Sequence, residues 1–480
     1  MIHGYKQNGY NIILDVNSGG VHVVDELFYD LATGLTPPLA PQCPPDLLDR
    51  LDRQYDREEL EEAYGGILEL YRGCTLYSED DYGRFQSLMT VSPIKAMCLH
   101  ISHDCNLRCQ YCFAGTGDFG TGHRMEMSEE VGKKAIDFLL AQSQGRRNLE
   151  VDFFGGEPLL NFEVVKKIVD YARSKEQAHG KVFRFTITTN GMLLDDGKID
   201  FLNREMSNIV LSIDGRREVN DRVRSRVNGD GCYDAILPKF QRLVQRRGDG
   251  QYYVRGTFTK YNLDFAQDVL HLNACGFDQV SVEPVVADPA QPYALTQEDL
   301  PAVAREYERL ALELLERKRS GHGFNFFHFM LDLDQGPCAI KRLRGCGAGN
   351  EYCAVTPDGE VYPCHQFVGH PQWKMGDVFT GQVDQTLKER FAAATVLGKE
   401  ECRSCWAKFY CSGGCNANNQ TYRGDILKPH TLSCEMEKKR LECAIMMKVA
   451  LAEEQSGTAP ADCEHCGEAC GEEVLDYARA

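Results

Sequence analysis

The sequence predicts an α/β protein centred on an incomplete (β/α)6 barrel, with a mixed β/α module before it and a cysteine-rich domain after it. Three observations lead there. Between residues 97 and 285, short apolar runs alternate six times with amphipathic stretches, the pattern of βα units around a parallel sheet. Polar and glycine-rich groups fall directly after the apolar runs, where a parallel barrel carries its functional rim. Most of the 21 cysteines fall in two groups, one after the first of these runs and one beyond the last.

Composition bounds the rest. With 480 residues, 43% apolar and 26% charged, the chain is that of a globular protein of two or three domains, which rules out disorder throughout. Counting 53 basic against 71 acidic side chains gives 53 − 71 = −18, which opposes binding to nucleic acid or to an anionic membrane through bulk charge. No stretch approaches the roughly 20 apolar residues of a spanning helix, and Met1–Lys6 lacks the apolar core of a secretion signal. A cytoplasmic protein without nucleic-acid or membrane partners is the expectation. In a reducing compartment, cysteine clusters are metal ligands more often than disulfides.

In chain order, Ile12–Val16 and Val21–Val24 read as strands around the turn Asn17-Ser18-Gly19-Gly20, followed by a helix over Asp25–Ala32. Pro37-Pro38 and Pro44-Pro45 break the chain before helical stretches at 46–53 and 57–72, which closes a module over 1–90. The barrel spans 91–295. Its strands are Met97–Ile101, Leu149–Phe154, Val182–Thr188, Ile209–Ile213, Tyr252–Thr259 and Gln279–Glu283. Its helices lie near 129–143, 162–178, 196–205, 232–246 and 263–275, the first capped by Ser128. A linking helix follows within 296–335. Residues 336–450 show little periodicity and many cysteines, as expected of a domain held by metal, and 451–480 form an acidic, mobile tail.

Cys105-x3-Cys109-x2-Cys112, followed by Phe113, places three thiolates within eight residues, so that one loop can wrap three corners of a cubane. A [4Fe–4S] cluster held by three cysteines keeps one iron open to chelate a substrate or cofactor. Zinc is the alternative, yet a structural zinc site wants a closed set of four ligands. With Gly155-Gly156-Glu157-Pro158 and the six βα units, the triplet resembles the radical S-adenosylmethionine superfamily over about residues 95–290. The resemblance implies that the open iron binds the amino and carboxylate groups of S-adenosylmethionine. Gly155 and Gly156 would let backbone carbonyls approach the methionine ammonium, and Glu157 would add a compensating charge. By the same resemblance Asn190 and Ser212 contact ribose or the methionyl group, and Arg224 is a candidate partner for the carboxylate. Turn residues and a surface arginine are the plain reading of these three. Phe113 could stack near adenine or simply pack.

The second group comprises Cys346, Gly359-x4-Cys364, Cys402-x2-Cys405-x5-Cys411-x3-Cys415 and Cys434. It resembles the SPASM domain of radical enzymes that modify peptides and proteins. The resemblance assigns Cys402, Cys405, Cys411 and Cys434 to one auxiliary [4Fe–4S] cluster, and Cys346, Cys364 and Cys415 to another, three clusters in all. Cys338 and Cys353 both compete for the remaining corner, with Cys353 carried as the candidate ligand; if neither binds, the corner is open to a substrate thiolate. Zinc remains the alternative for the Cys402–Cys415 block alone.

Lys6-Gln7-Asn8-Gly9-Tyr10-Asn11, Leu14-Asp15-Val16-Asn17-Ser18-Gly19, Cys346-Gly347-Ala348-Gly349 and Tyr362-Pro363-Cys364-His365-Gln366-Phe367 look like the maturases of SCIFF peptides, precursors with six cysteines in forty-five residues. That resemblance implies a winged-helix-like module over 1–90, where a leader peptide adds a strand to a sheet edge. A packing or dimerisation element is the other reading. The function implied is a radical oxidoreductase that forms thioether links from cysteine sulfur to another residue's carbon. Its partners would be the precursor peptide and an electron donor such as flavodoxin or ferredoxin. A formylglycine-generating maturase and a non-enzymatic iron–sulfur carrier are the rivals. The triplet Cys463-x2-Cys466-x3-Cys470 lies outside these patterns, as a further metal site or a reactive tail.

Overall fold

A computed structural model describes residues 1–88, 90–333 and 339–456. Cys338, Cys463, Cys466 and Cys470 lie outside the described residues, as does most of the expected tail.

The chain starts with a strand that periodicity did not reveal. β1 (Ile2–Gln7), β2 (Tyr10–Asp15) and β3 (Val21–Val24) form an antiparallel sheet in that order. β1 mixes Gly4 with polar residues because it does not face an apolar core alone. Tyr5 donates its hydroxyl to Glu442 O (3.0 Å), Gln7 reaches Cys443 Sγ (3.2 Å), and the His3 ring stacks on Trp406 at 3.8 Å. Helices α1 (Glu26–Gly34), α2 (Pro45–Leu51) and α3 (Arg57–Arg72) follow, the first and third capped by Asp25 and Asp56. Strand alternation divides the sheet between two cores. Ile13 packs with Leu31, Leu60 and Ile67 of these helices, whereas Tyr5, Ile12 and Leu14 join the main core.

The six barrel strands match the sequence reading to within a residue or two. They are β4 (Ala96–Ser102), β6 (Asn148–Gly155), β7 (Val182–Thr189), β8 (Asn208–Ser212), β10 (Gln251–Phe258) and β11 (Gln279–Pro284), all parallel and in sequential order. Two short strands, β5 (Leu107–Cys109) and β9 (Arg224–Arg226), pair separately and tie the cysteine loop to the segment after β8. Helices α4 (Glu129–Gln142), α5 (Phe162–His179), α6 (Asp196–Glu205), α7 (Arg217–Val223), α8 (Tyr233–Arg247) and α9 (Phe265–Ala274) fill the connections, and Ser128 caps α4 as expected. On β6, β7 and β10 every second side chain is buried against these helices. The intervening ones face the concave side, the lumen of the open barrel.

The sheet continues at both ends. β12 (Asn325–Phe326) adds to β11, after the linking helix α10 (Leu300–Arg319), while β13 (Tyr352–Val355) adds in parallel to β4 and leads into antiparallel β14 (Glu360–Tyr362) and β15 (Gly376–Asp377). The cysteine-rich segment therefore grows out of the barrel's own sheet. Beyond α11 (Ala339–Arg344), it contains α12 (Gln385–Ala393), α13 (Glu400–Arg403), α14 (Lys408–Cys411), α15 (Asn416–Arg423) and the long α16 (Thr431–Ser456). The expectation of little regular structure fails at α16. Cys443, Ala444, Ile445, Met446 and Met447 are buried in succession, between α10 and β1 among others, so the helix shows no single apolar stripe in sequence.

Candidate active site and cysteine clusters

The loop after β4 brings Cys105, Cys109 and Cys112 within electrostatic range of one another at the C-terminal rim. Burial pushes the Cys105 and Cys109 thiols up to about 12, so each needs a cation or metal to become a thiolate. No described cysteine forms a disulfide. Two glycines seat this loop. A Cβ at Gly155 would stand 2.3 Å from Ser102 O, and one at Gly156 would stand 2.1 Å from Asp104 O. Their bare backbone lets Gly156 N donate to Ser102 O (2.8 Å) and Glu157 N to Asp104 O (2.9 Å).

Glu157 departs from its expected place. It is buried, and its carboxylate accepts from Leu159 N (3.0 Å), Thr189 Oγ1 (2.7 Å) and Asn190 N (2.8 Å). A buried carboxyl must satisfy its oxygens locally, so Glu157 ties the β6 and β7 loops together instead of presenting a charge to a ligand. Burial raises it to about 7. Asn190 donates to Asn106 Oδ1 (2.8 Å) and lies 3.6 Å from Cys105 Sγ. Arg224 is buried rather than a surface arginine. Its Nε donates to Asp214 Oδ2 (2.9 Å), its Nη1 lies 4.0 Å from Cys109 Sγ, and Tyr111 closes the group on Asp214 at 2.8 Å. Ser212 faces the lumen from the end of β8. Phe113 is 54% exposed, with its ring 6.3 Å from Phe154 and 5.2 Å from His365.

Seven cysteines of the C-terminal segment fall into two sets. Cys364, Cys415 and Cys346 lie within electrostatic range of one another; Cys402, Cys405, Cys411 and Cys434 make the second set. Cys353 joins neither. It is in register with Met97 on the helix-facing side of the sheet, whereas the next pair, Ala354 and Cys98, shares a core with Cys364 on the other side. Period-two alternation thus turns the Cys353 thiol away from the corner where it was expected.

Lys399, which sequence reasoning missed, tests whether these sets suit iron–sulfur clusters. Its ammonium is buried and donates to Gly413 O (2.6 Å) and Asn416 Oδ1 (2.8 Å), with no carboxylate partner among the described residues. The groups nearby able to carry negative charge are Cys402, Cys411, Cys415 and Cys346, two from each set. A buried cation needs a counter-charge, and thiolate-ligated clusters supply one. Among the described residues, moreover, no three Cys, His, Asp or Glu side chains converge closely enough to share one metal ion. Lys399 carries no motif; only its fold places it between the sets.

The sequence profile of the radical SAM superfamily matches residues 99–260, and that of the SPASM iron–sulfur cluster-binding domain matches residues 346–406. The chain is similar to the radical SAM cyclopropyl synthase TigE of Paramaledivibacter caminithermalis, 22% identical over 75% of this chain and 76% of that protein. It is also similar to a cysteine-type anaerobic sulfatase-maturating enzyme of Clostridium perfringens strain 13, 24% identical over 67% of this chain and 89% of that protein. In fold it resembles native anSMEcpe with bound AdoMet and the Cp18Cys peptide, at a TM-score of 0.61 and 21% identity, across 75% of this chain and 99% of that one. The barrel with its three-cysteine loop and the sheet extension with its paired cysteine sets agree with both profiles, and the chain is an enzyme that carries a radical SAM domain followed by a SPASM domain.

Proposed function

We propose that the protein matures a ribosomally made, cysteine-rich precursor peptide by closing a thioether bond between a cysteine sulfur and a carbon of another residue. One observation carries the reading: Cys346, Cys364 and Cys415 lie together while Cys353 faces the opposite side of the sheet. With Cys353 turned away and Cys338 outside the described residues, a cluster on those three thiols would keep a corner for a substrate thiolate wherever Cys338 does not fill it. Metal supplies both the position and the deprotonation that sulfur bond formation requires.

Cys105, Cys109 and Cys112 would hold the first [4Fe–4S] cluster, Cys346, Cys364 and Cys415 the second, and Cys402, Cys405, Cys411 and Cys434 the third. S-adenosylmethionine bound at the first cluster would supply radical chemistry once a flavodoxin- or ferredoxin-like donor provides an electron. Arg224 holds a fixed positive charge beside Cys109, Asn190 steadies Cys105, and Ser212 and Phe113 line the space in front. Each link removes two hydrogens from the peptide, one carried off in 5′-deoxyadenosine and one released as a proton, with an electron returned to the protein. The module over 1–90 would take the leader. β3, an outer strand of this sheet on which Val23 is 41% exposed, would offer an edge for a strand.

A second reading, cysteine oxidation to formylglycine, draws on the likeness to the sulfatase-maturating enzyme. Anaerobic incubation of reduced protein with S-adenosylmethionine and a precursor of six cysteines in forty-five residues separates the two. A thioether removes two hydrogens and one alkylatable thiol per link while retaining sulfur; formylglycine loses the sulfur altogether. Peptide recovered unmodified beside abundant 5′-deoxyadenosine would reject this substrate class.

A further inference from the structure

The fifth and sixth barrel strands carry a polar group that no step above uses. Alternation turns Val254, Gly256 and Phe258 toward the helices and Arg255 toward the lumen, and Ser281 and Glu283 share that face on β11. Register places Ser212, Arg255 and Ser281 in one layer across β8, β10 and β11, with Glu283 in the next. Arg255 Nε donates to Glu283 Oε1 at 2.7 Å. Their side chains are 48% and 34% accessible although protein encloses Arg255 on most sides, so the opening they face is the lumen itself.

The layer has a fixed floor. Arg440 Nη1 donates to His328 Nδ1 at 2.5 Å, and His328 Nε2 lies 3.2 Å from Ser281 Oγ. Arginine has no acceptor, so Nδ1 carries the lone pair and Nε2 the proton. Burial between Arg440 and Arg255 holds this histidine well below its ordinary value, and hence neutral. Ser281 therefore accepts from below, which leaves its own hydroxyl proton for another partner.

Above that floor stand a planar donor fork and an acceptor, side by side. Among the described residues their mutual bond is the only hydrogen bond either side chain makes, so the other guanidinium N–H groups and Glu283 Oε2 retain bonding capacity. An anion such as the carboxylate of S-adenosylmethionine would meet Glu283 at close range, and like charges in an enclosed space repel strongly. One residue of an extended peptide, neutral and presenting its own N–H and C=O to the same side, meets both partners favourably. The aromatic rings of Phe113, Phe154 and His365 supply an apolar wall to the same lumen.

We propose that Arg255 and Glu283 clamp one residue of the substrate's core segment inside the lumen, the guanidinium donating to its C=O and the carboxylate accepting from its N–H, two groups that an extended chain points to the same side. This rests on the peptide-substrate reading but not on thioether chemistry. The test uses the full-length, cluster-loaded enzyme and two labelled synthetic peptides, the leader half and the cysteine-containing half of such a precursor. Arg255→Gln and Glu283→Gln should each weaken binding of the cysteine-containing half about tenfold, the loss expected for a charged hydrogen-bonding group, while binding of the leader half and of S-adenosylmethionine persists. Should Arg255→Gln fail to fold, Glu283→Gln decides alone. Unchanged affinity for the cysteine-containing half, or a loss confined to S-adenosylmethionine, overturns the clamp. Wild-type enzyme that binds neither peptide overturns the peptide reading and the clamp together.

Discussion

Arg224 stands 4.0 Å from the Cys109 sulfur while its Nε is bonded to Asp214 at 2.9 Å. The pair is enclosed, and Asp214 is fully buried, so the guanidinium both balances that carboxylate and places a positive charge beside a cysteine of the triplet. Arg224→Gln should make the first cluster harder to reduce, because a nearby cation stabilises the more negative, reduced state. Redox titration followed by electron paramagnetic resonance reads this shift. It should also destabilise the fold by roughly 3–5 kcal/mol through the stranded Asp214 charge, and an added Asp214→Asn change should recover much of that loss. A potential equal to wild type would separate Arg224 from the cluster.

Gly156 permits a close crossing. A Cβ added there would stand 2.1 Å from Asp104 O, so Gly156→Ala must push the loop carrying Cys105 away from β6. The expected result is loss of the first cluster's iron and of 5′-deoxyadenosine production, with the auxiliary iron retained. Gly120→Ala is the control, since no atom lies within 4 Å of its Cβ position, although its positive φ adds some strain. Equal iron in wild type and Gly156→Ala would show that the crossing can relax.

Replacing Cys105, Cys109 and Cys112 together by Ala should abolish cleavage of S-adenosylmethionine and leave about eight irons per chain, four for each auxiliary cluster. Chemical iron analysis and Mössbauer spectroscopy count them. Loss of all iron would mean that the cysteine-rich segment needs the first cluster to fold, a real prospect for a segment that extends the barrel's own sheet through β13.

What the sequence discloses follows from how local each signal is. The barrel strands and the triplet loop were legible because alternation and spacing are short-range properties. Glu157 and Arg224 were identified as charges near the rim, but their partners Thr189, Leu159 and Asp214 lie on other elements, and only packing decides whether a charge faces a ligand or a neighbour. The same holds for β1, whose polar side chains make sense only against α16, and for Lys399, whose role depends on two cysteine sets closing around it. Arg255 and Glu283 sit on separate strands and meet through register alone.

Cys353 and Cys98 provide the sharpest test of the thioether reading. Cys353 is buried on the Met97 side of the sheet, and burial holds its thiol up at about 12, so its loss removes only a small packing group. Cys353→Ala should therefore leave iron content and cluster spectra unchanged and cost about 1 kcal/mol or slightly more of stability. Cys98 shares the other face with Cys364, and that makes it the necessary control. If the corner beside Cys346, Cys364 and Cys415 is open, Cys98→Ala also retains full iron, and added precursor perturbs the cluster's electron paramagnetic resonance while a Cys-to-Ser precursor does not. Iron lost from Cys98→Ala would instead make Cys98 the fourth ligand. A substrate sulfur would then have no metal corner to occupy, and the bond-forming step would have to find its thiolate elsewhere in the lumen.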